Sequence, residues 1–423
     1  MKKYQLKSLI DVKRGASLAG EYYSSEGSLV RLTLGNFKEE GGFKFNTSKD
    51  NLYYTGPVKD EYILKKGDII TPLTEQVVGL LGATARIPES DKYVQSGDVA
   101  LIKSISDELY EGYCYYLISS DVVRRQLSAA AQQTKIRHTS PEKIKSCQVF
   151  LPDVSTQKKI SNLLDVIDKK ISLNITINDN LVQQVSDIFN YWFTQFDFPN
   201  TSGKPYKSSG GKMIWNSIIK REIPESWSVA TYDTICSYEN GDRSENYPSS
   251  DDFVERGIPF INGGAINGNS IDTSSLQYIS KEKYNSLRAG KVSKKDILLT
   301  LRGSLDKCIY SPFEISAIAS ALVILRAKQK IFSSYLYYSL KSQYFKQLCS
   351  NYNNGSVQTN LSVDVIKRFP CIIPSSDILQ KFDNYASQID NKLLNIFEEN
   401  EQLLSLRSWL LPILMNGQAT ISD

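Results

Sequence analysis

Residues 160–192 read ISNLLDVIDKKISLNITINDNLVQQVSDIFNYW, and residues 382–414 read FDNYASQIDNKLLNIFEENEQLLSLRSWLLPIL. In the first stretch Ile160, Leu164, Ile167, Ile171, Asn174, Asn178, Leu181, Val185, Ile188 and Trp192 alternate at spacings of four and three. That period belongs to a helix hiding one narrow stripe against another helix. The second stretch repeats it with Phe382, Ala386, Ile389, Leu393, Ile396, Asn400, Leu403, Arg407, Leu410 and Leu414, each displaced by 382 − 160 = 222 residues. Two seams in fixed register predict two long helices of a coiled coil that present nearly the same face. A helix over 160–192 would span about 50 Å at ~1.5 Å per residue, long enough to hold two lobes apart. Asn178 and Asn400 are equivalent under the repeat. An amide in a seam costs stability but fixes register and partner.

The repeat extends beyond the helices. Lys65-Lys66-Gly67-Asp68-Ile69-Ile70 returns as Lys294-Lys295-Asp296-Ile297-Leu298, each an apolar run flanked by charge, as a buried strand would be. Tyr113-Cys114-Tyr115-Tyr116 matches Tyr335-Leu336-Tyr337-Tyr338, and Leu151-Pro152 matches Ile373-Pro374. Between the halves, Phe198 to Lys212 is rich in Gly, Ser, Pro and Lys and is expected to be irregular and exposed. The chain thus divides into a lobe over 1–150, a helix over 151–196, a linker over 197–221, a second lobe over 222–373 and a second helix over 374–423.

A chain of 423 residues calls for at least two cores. No apolar run approaches the ~18 residues of a membrane span, and the opening Met1-Lys2-Lys3-Tyr4-Gln5 lacks an apolar signal core, so a cytoplasmic location is expected. The formal net charge is only +4, so its distribution matters more than its total. The linker carries 5 Lys and Arg against 1 Asp, and both lobes are mildly basic, whereas 374–423 carries 3 basic residues against 7 acidic ones. DNA would meet the lobes, and a protein partner the helices. The six cysteines never form Cys-x-x-Cys and read as buried free thiols, and His138 is the only histidine, which rules out a multi-histidine metal site. No metal and no cofactor is expected.

Catalytic patterns fail one by one. No Asn-Pro-Pro-aromatic methyltransferase motif and no Gly-rich dinucleotide fingerprint occurs, and Ser208-Ser209-Gly210-Gly211-Lys212-Met213 lacks both the first Gly and the final Ser or Thr of a phosphate loop. Pro152-Asp153 with Asp168-Lys169-Lys170 imitates a nuclease carboxylate pair plus Lys, but the repeat copy has Ser375 where Asp153 stands, so Asp168 and Lys170 read as a helix-surface charge pair. Irregular segments with amides, hydroxyls, Arg and Lys are the natural readers of base edges and phosphates. The first lobe offers Gln133, Lys135, Arg137 and His138, and the second offers Asn353, Asn354, Ser356, Gln358 and Thr359 at the equivalent place with different side chains. A further pair follows the repeated strand, Thr74 and Gln76 against Arg302 and Ser304. A third sets Lys13-Arg14-Gly15 against Asn240-Gly241-Asp242-Arg243, so Arg14 and Arg243 are also candidates. No catalytic residue is assigned.

The repeat, together with Gly203-Lys204-Pro205-Tyr206-Lys207-Ser208-Ser209-Gly210-Gly211, Ile223-Pro224-Glu225-Ser226-Trp227 and Gly257-Ile258-Pro259-Phe260-Ile261 with Asn262, resembles the specificity (S) subunits of type I restriction-modification systems over essentially the whole chain. Ser375-Ser376-Asp377 departs mildly from that pattern. The resemblance implies an α+β fold with two tandem target-recognition domains, mixed α/β lobes, and two long helices paired as an antiparallel coiled coil about a pseudo-two-fold repeat. It implies a non-catalytic subunit that reads a bipartite, asymmetric double-stranded DNA site, one half per lobe. Its partners would be two modification (methyltransferase) subunits and the ATP-dependent restriction subunits. A coiled-coil scaffold without DNA specificity, and an enzyme with an unrecognised site, are the rival readings.

Overall fold

The computed structural model describes residues 1–46, 51–75, 79–131, 137–303, 305, 307–352 and 361–421. The chain forms two compact units, Met1–Ile171 with Leu403–Asp423, and Ser172–Gln402.

In the first unit a four-stranded antiparallel sheet runs in the order Ile10–Arg14, Val99–Ser104, Ile69–Pro72, Ala85–Arg86. In the second unit the order is Cys236–Asn240, Leu322–Ala327, Ile297–Thr300, Cys308–Tyr310, so the two sheets share one topology. A second sheet repeats likewise. Tyr23–Ser24, Tyr53–Tyr54, Val30–Arg31 and Tyr93–Val94 end on a parallel pair, as do Phe253–Val254, Gln277–Ile279, Ile258–Ile261 and Ile315–Ile318, to which Lys291–Ser293 adds an edge. Lys2–Gln5 pairs with Gln148–Leu151 in one unit, and Ser228–Thr231 with Pro370–Ile373 in the other.

The local chemistry explains the repeated strand. The Asp68 carboxylate accepts the Lys65 N–H (2.8 Å) while Gly67 takes φ +91°, and a fully buried strand follows. In the copy Asp296 accepts the Ser293 N–H (2.9 Å), but Lys295 occupies the left-handed region at φ +68°, where a side chain is strained. The predicted strands are therefore present, with the turn built once with Gly and once without.

The long helices are Val154–Phe189, continued by a π-helical turn at Asn190–Thr194, and Ser376–Met415. Every seam position named above is buried or half-buried. The segments run antiparallel within each unit. In the first unit Ile160 and Leu164 share a core with Leu414 and Met415, and Asp168 meets Arg407. In the second, Asn174 meets Asn400, and Phe189 packs on Phe382 at 5.9 Å. The buried amide is Asn174, whose Nδ2 donates to Glu399 (2.7 Å) and Asn400 (2.9 Å). Asn178 instead donates to the Asn269 carbonyl (3.3 Å), because antiparallel pairing sets 400 against 174 rather than against its repeat equivalent.

One expectation needs correction. Asp168 is not a solvated charge of the helix surface: its Oδ1 lies 2.7 Å from the Arg407 guanidinium, which is 4% exposed, and its Oδ2 lies 2.9 Å from the Tyr116 hydroxyl. The linker over 198–212 is irregular and largely exposed, as expected, but its start is pinned. Phe198 is buried between Tyr206 (4.6 Å) and Trp227 (4.8 Å), Asp197 accepts from the Ser208 N–H and hydroxyl, and Met213–Asn216 pairs with Arg221–Pro224. Aromatic stacking outweighs the flexibility of the Gly and Ser around it.

The copy of Asp168 is Asp390, which accepts from Tyr338 (2.9 Å) and Ser334 (3.3 Å). The position matching Arg407 is Val185, fully buried, so Asp390 meets no guanidinium there. Burial pushes the Asp390 carboxyl up to about 6 despite those hydrogen bonds. Because the folded pKa lies above the unfolded one, the protonated form's contribution to stability is complete below about pH 4 and is lost as pH rises through 6. Asp390→Asn should therefore raise stability at pH 8, on the order of 1–3 kcal/mol, and flatten the pH 4–6 dependence in urea unfolding. Arg407→Leu should cost about 3 kcal/mol by stranding Asp168, and adding Asp168→Asn should recover much of it in a double-mutant cycle.

Candidate nucleic-acid interface

Candidate readers follow equivalent strands in the two units, so the frame positions them by register. Arg14 faces Ala100 across its sheet, as Asn240 faces Val323 in the copy. Next in each chain comes a glycine forced by close approach. A Cβ on Gly15 would lie 2.2 Å from the Ser96 carbonyl, and one on Gly241 2.6 Å from that of Ala319.

In the second unit this turn is anchored by Asp242, which accepts the N–H groups of Ser244 and Arg288, both at 2.7 Å. Burial opposes its charge, yet the Ser244 N–H and hydroxyl and the Arg288 N–H bring its pKa down to about 2. The neighbouring Arg243 is exposed and donates to the Ser320 carbonyl at 3.2 Å. Arg302 is exposed one residue beyond Leu301, which is buried and bonded through its backbone to Ala321 and Leu361. The structure brings Arg243 and Arg302 together around one concavity of about 310 Å³, with Lys367 from the helix Val363–Arg368. Lys367 was missed by sequence reasoning. The signal was available, since Lys145 stands 222 residues earlier on the matching helix Pro141–Ser146.

Asn262 plays a structural part, its side-chain oxygen accepting from Gly264 N (2.8 Å) and Ala265 N (3.1 Å). The first unit uses its candidates differently. Thr74 is buried, and Arg137 is turned inward. Its Nη1 lies 2.9 Å from Glu75, itself 1% exposed, and its Nη2 donates to Ser128. The other Glu75 oxygen accepts the N–H groups of Gly79, Leu80 and Leu81. Arg137 thus neutralises the carboxylate that shapes this loop, while His138, next in the strand Arg137–His138, is exposed. Arg14 is exposed and donates from Nε to the Gly97 carbonyl (2.7 Å). Gln76, Gln133, Lys135, Ser304, Asn353, Asn354, Ser356, Gln358 and Thr359 lie outside the described residues.

All six cysteines are buried and unbridged. Among the described residues no group of three or more His, Cys, Asp or Glu is placed to hold a metal ion, and no helix is long and apolar enough to cross a membrane.

The fold defines a duplicated protein, one α+β frame used twice with unlike side chains at the candidate positions. Residues 1–183 and 224–402 match the model of the type I restriction modification DNA specificity domain, and the chain belongs to that family. Among its relatives, the MjaIX specificity subunit of Methanocaldococcus jannaschii is 23% identical over 75% of this chain and 71% of its own length. The HindI specificity subunit of Haemophilus influenzae is 24% identical over 78% of this chain and 82% of its own. The crystal structure of the type I restriction-modification S subunit from M. genitalium superposes with a TM-score of 0.53 at 18% identity, covering 98% of this chain and 96% of that one, which shows a shared fold.

Arg137→Ala should lower stability by about 3 kcal/mol in urea unfolding, because it leaves Glu75 buried without its counter-charge. An unchanged midpoint together with weakened DNA binding would instead make Arg137 a reader.

Proposed function

We propose that this chain is the sequence-recognition subunit of a type I restriction-modification enzyme and has no catalytic activity of its own. It reads a bipartite, asymmetric duplex site, one half through residues 1–150 and the other through residues 222–373. The observation that carries this reading is one strand order built twice, with Arg14 against Asn240 and Thr74 against Arg302 at matched positions. Identical frames with unlike readers suit two different half-sequences, since specificity lies in base-edge contacts while the frame positions them.

Methyl transfer and ATP-driven cleavage then belong to two modification subunits and to restriction subunits, which this chain gathers on DNA in the cytoplasm. Apolar side chains exposed on the long helices, among them Val166 (63%), Leu173 (54%) and Trp409 (63%), support protein docking there.

Exchange of residues 1–150 for the corresponding lobe of a related subunit, followed by mapping of methylated adenines in cells, tests the reading. One half of the methylated motif should change and the other stay. A change in both halves would show that the lobes are not independent readers. Methyl incorporation by the purified chain alone would contradict its non-catalytic role.

A further inference from the structure

We propose that the concavity formed by Asn240, Arg243, Arg302 and Lys367 in the second unit seats one phosphate of the DNA backbone, a sequence-independent anchor beside the base-reading groups. This rests on the DNA-recognition reading above and adds to it a ligand and a residue, Lys367.

The three cations come from three separate segments. Arg243 follows the strand Cys236–Asn240, Arg302 follows Ile297–Thr300, and Lys367 lies on Val363–Arg368. Each is held from behind. Asp242 fixes the backbone before Arg243, Leu301 is buried before Arg302, and the Lys367 ammonium lies 5.8 Å from the centre of the Tyr238 ring and 3.4 Å from Asp364. Such anchoring lowers the entropy lost when a ligand is bound.

The chemistry of the lining selects the ligand. Two guanidiniums and an ammonium are donors without acceptor capacity, and the acid in the lining, Asp364, is engaged by Lys367. A guanine edge in the major groove also only accepts, but it is uncharged, whereas a phosphate is an anion able to draw several cations to one point. Three cations from separate segments around one concavity therefore suit an anionic phosphate better than a neutral base. The first unit builds the equivalent place differently. There Lys145 is paired with Asp11 at 2.7 Å, Arg14 is bonded to the Gly97 carbonyl, and Thr74 is buried where Arg302 stands in the copy.

The test uses the full chain, short duplexes of randomised sequence, and a salt titration of wild type, Arg302→Gln, Lys367→Gln and the double variant. If the two cations share one phosphate, the double variant should flatten the slope of log K against log salt by about 0.9, no more than one contact. Binding at low salt should fall roughly tenfold, equally on all sequences, and the sequences selected from the pool should not change. A changed selection with an unchanged slope would make the residues base readers and overturn the proposal. So would an unchanged slope in variants that lose binding of inorganic phosphate by calorimetry, which would mark a seat for a free anion. If wild type shows no salt-dependent DNA binding, the recognition reading falls with it.

Discussion

In each unit a tyrosine hydroxyl from a short buried helix reaches a carboxylate on a long helix: Tyr116 to Asp168 at 2.9 Å, and Tyr338 to Asp390 at 2.9 Å. This contact ties the sheet-bearing lobe to the helix beneath it, since the tyrosines also lie in the lobe cores with their neighbours Tyr113 and Tyr335. A buried hydroxyl must find a partner, and so must a buried carboxylate. Together with Tyr116 to Asp165 (2.7 Å) in the first unit and Ser334 to Asp390 (3.3 Å) in the second, these contacts fix the rotation of the helix under the lobe. Once that rotation is set, the seam faces its antiparallel partner.

What surrounds this shared bond differs. Asp168 has Arg407 as counter-charge, whereas Asp390 has a valine opposite and shifts its pKa upward instead. The same desolvation cost is offset by pairing at Asp168 and is carried as a raised pKa at Asp390. The duplicated architecture therefore tolerates chemical asymmetry at equivalent positions, including positions deep in the core. The reading surfaces take that tolerance further, with an inward Arg137 locked to Glu75 in one unit and outward Arg243 and Arg302 in the other.

Much of the architecture was legible from spacing alone. The four-three alternation through Ile160, Leu164 and Ile167 and its copy 222 residues later disclose the long helices, because burial of one helical stripe leaves a periodic trace. Antiparallel register left no such trace, so Asn400 was matched with Asn178 by repeat while space pairs it with Asn174. Among the candidate readers, Arg243 and Arg302 converge as basic residues after repeated strands would. Arg137 does not, because composition cannot distinguish a guanidinium that meets solvent from one that meets a buried Glu. Lys367 sits on the helix Val363–Arg368, which the composition of irregular segments does not point to. In the linker the exposed, irregular Gly, Ser and Lys residues follow from composition, whereas the stacking of Phe198, Tyr206 and Trp227 arises only once the chain has folded back on itself.

The pairing of Asp168 with Arg407 joins residues far apart in the chain, one before the linker and one near its end. If segments of this chain were exchanged with those of a related one, the place of the junction would therefore matter. A junction within the linker that imported everything downstream would bring a foreign residue to position 407 and leave Asp168 with whatever that donor carries. Junctions flanking residues 222–373 would replace a recognition lobe while leaving Asp168, Val185, Asp390 and Arg407 from one parent. Inheritance of the helices as a matched set, with the lobes as exchangeable cassettes between them, is the pattern this one ion pair favours.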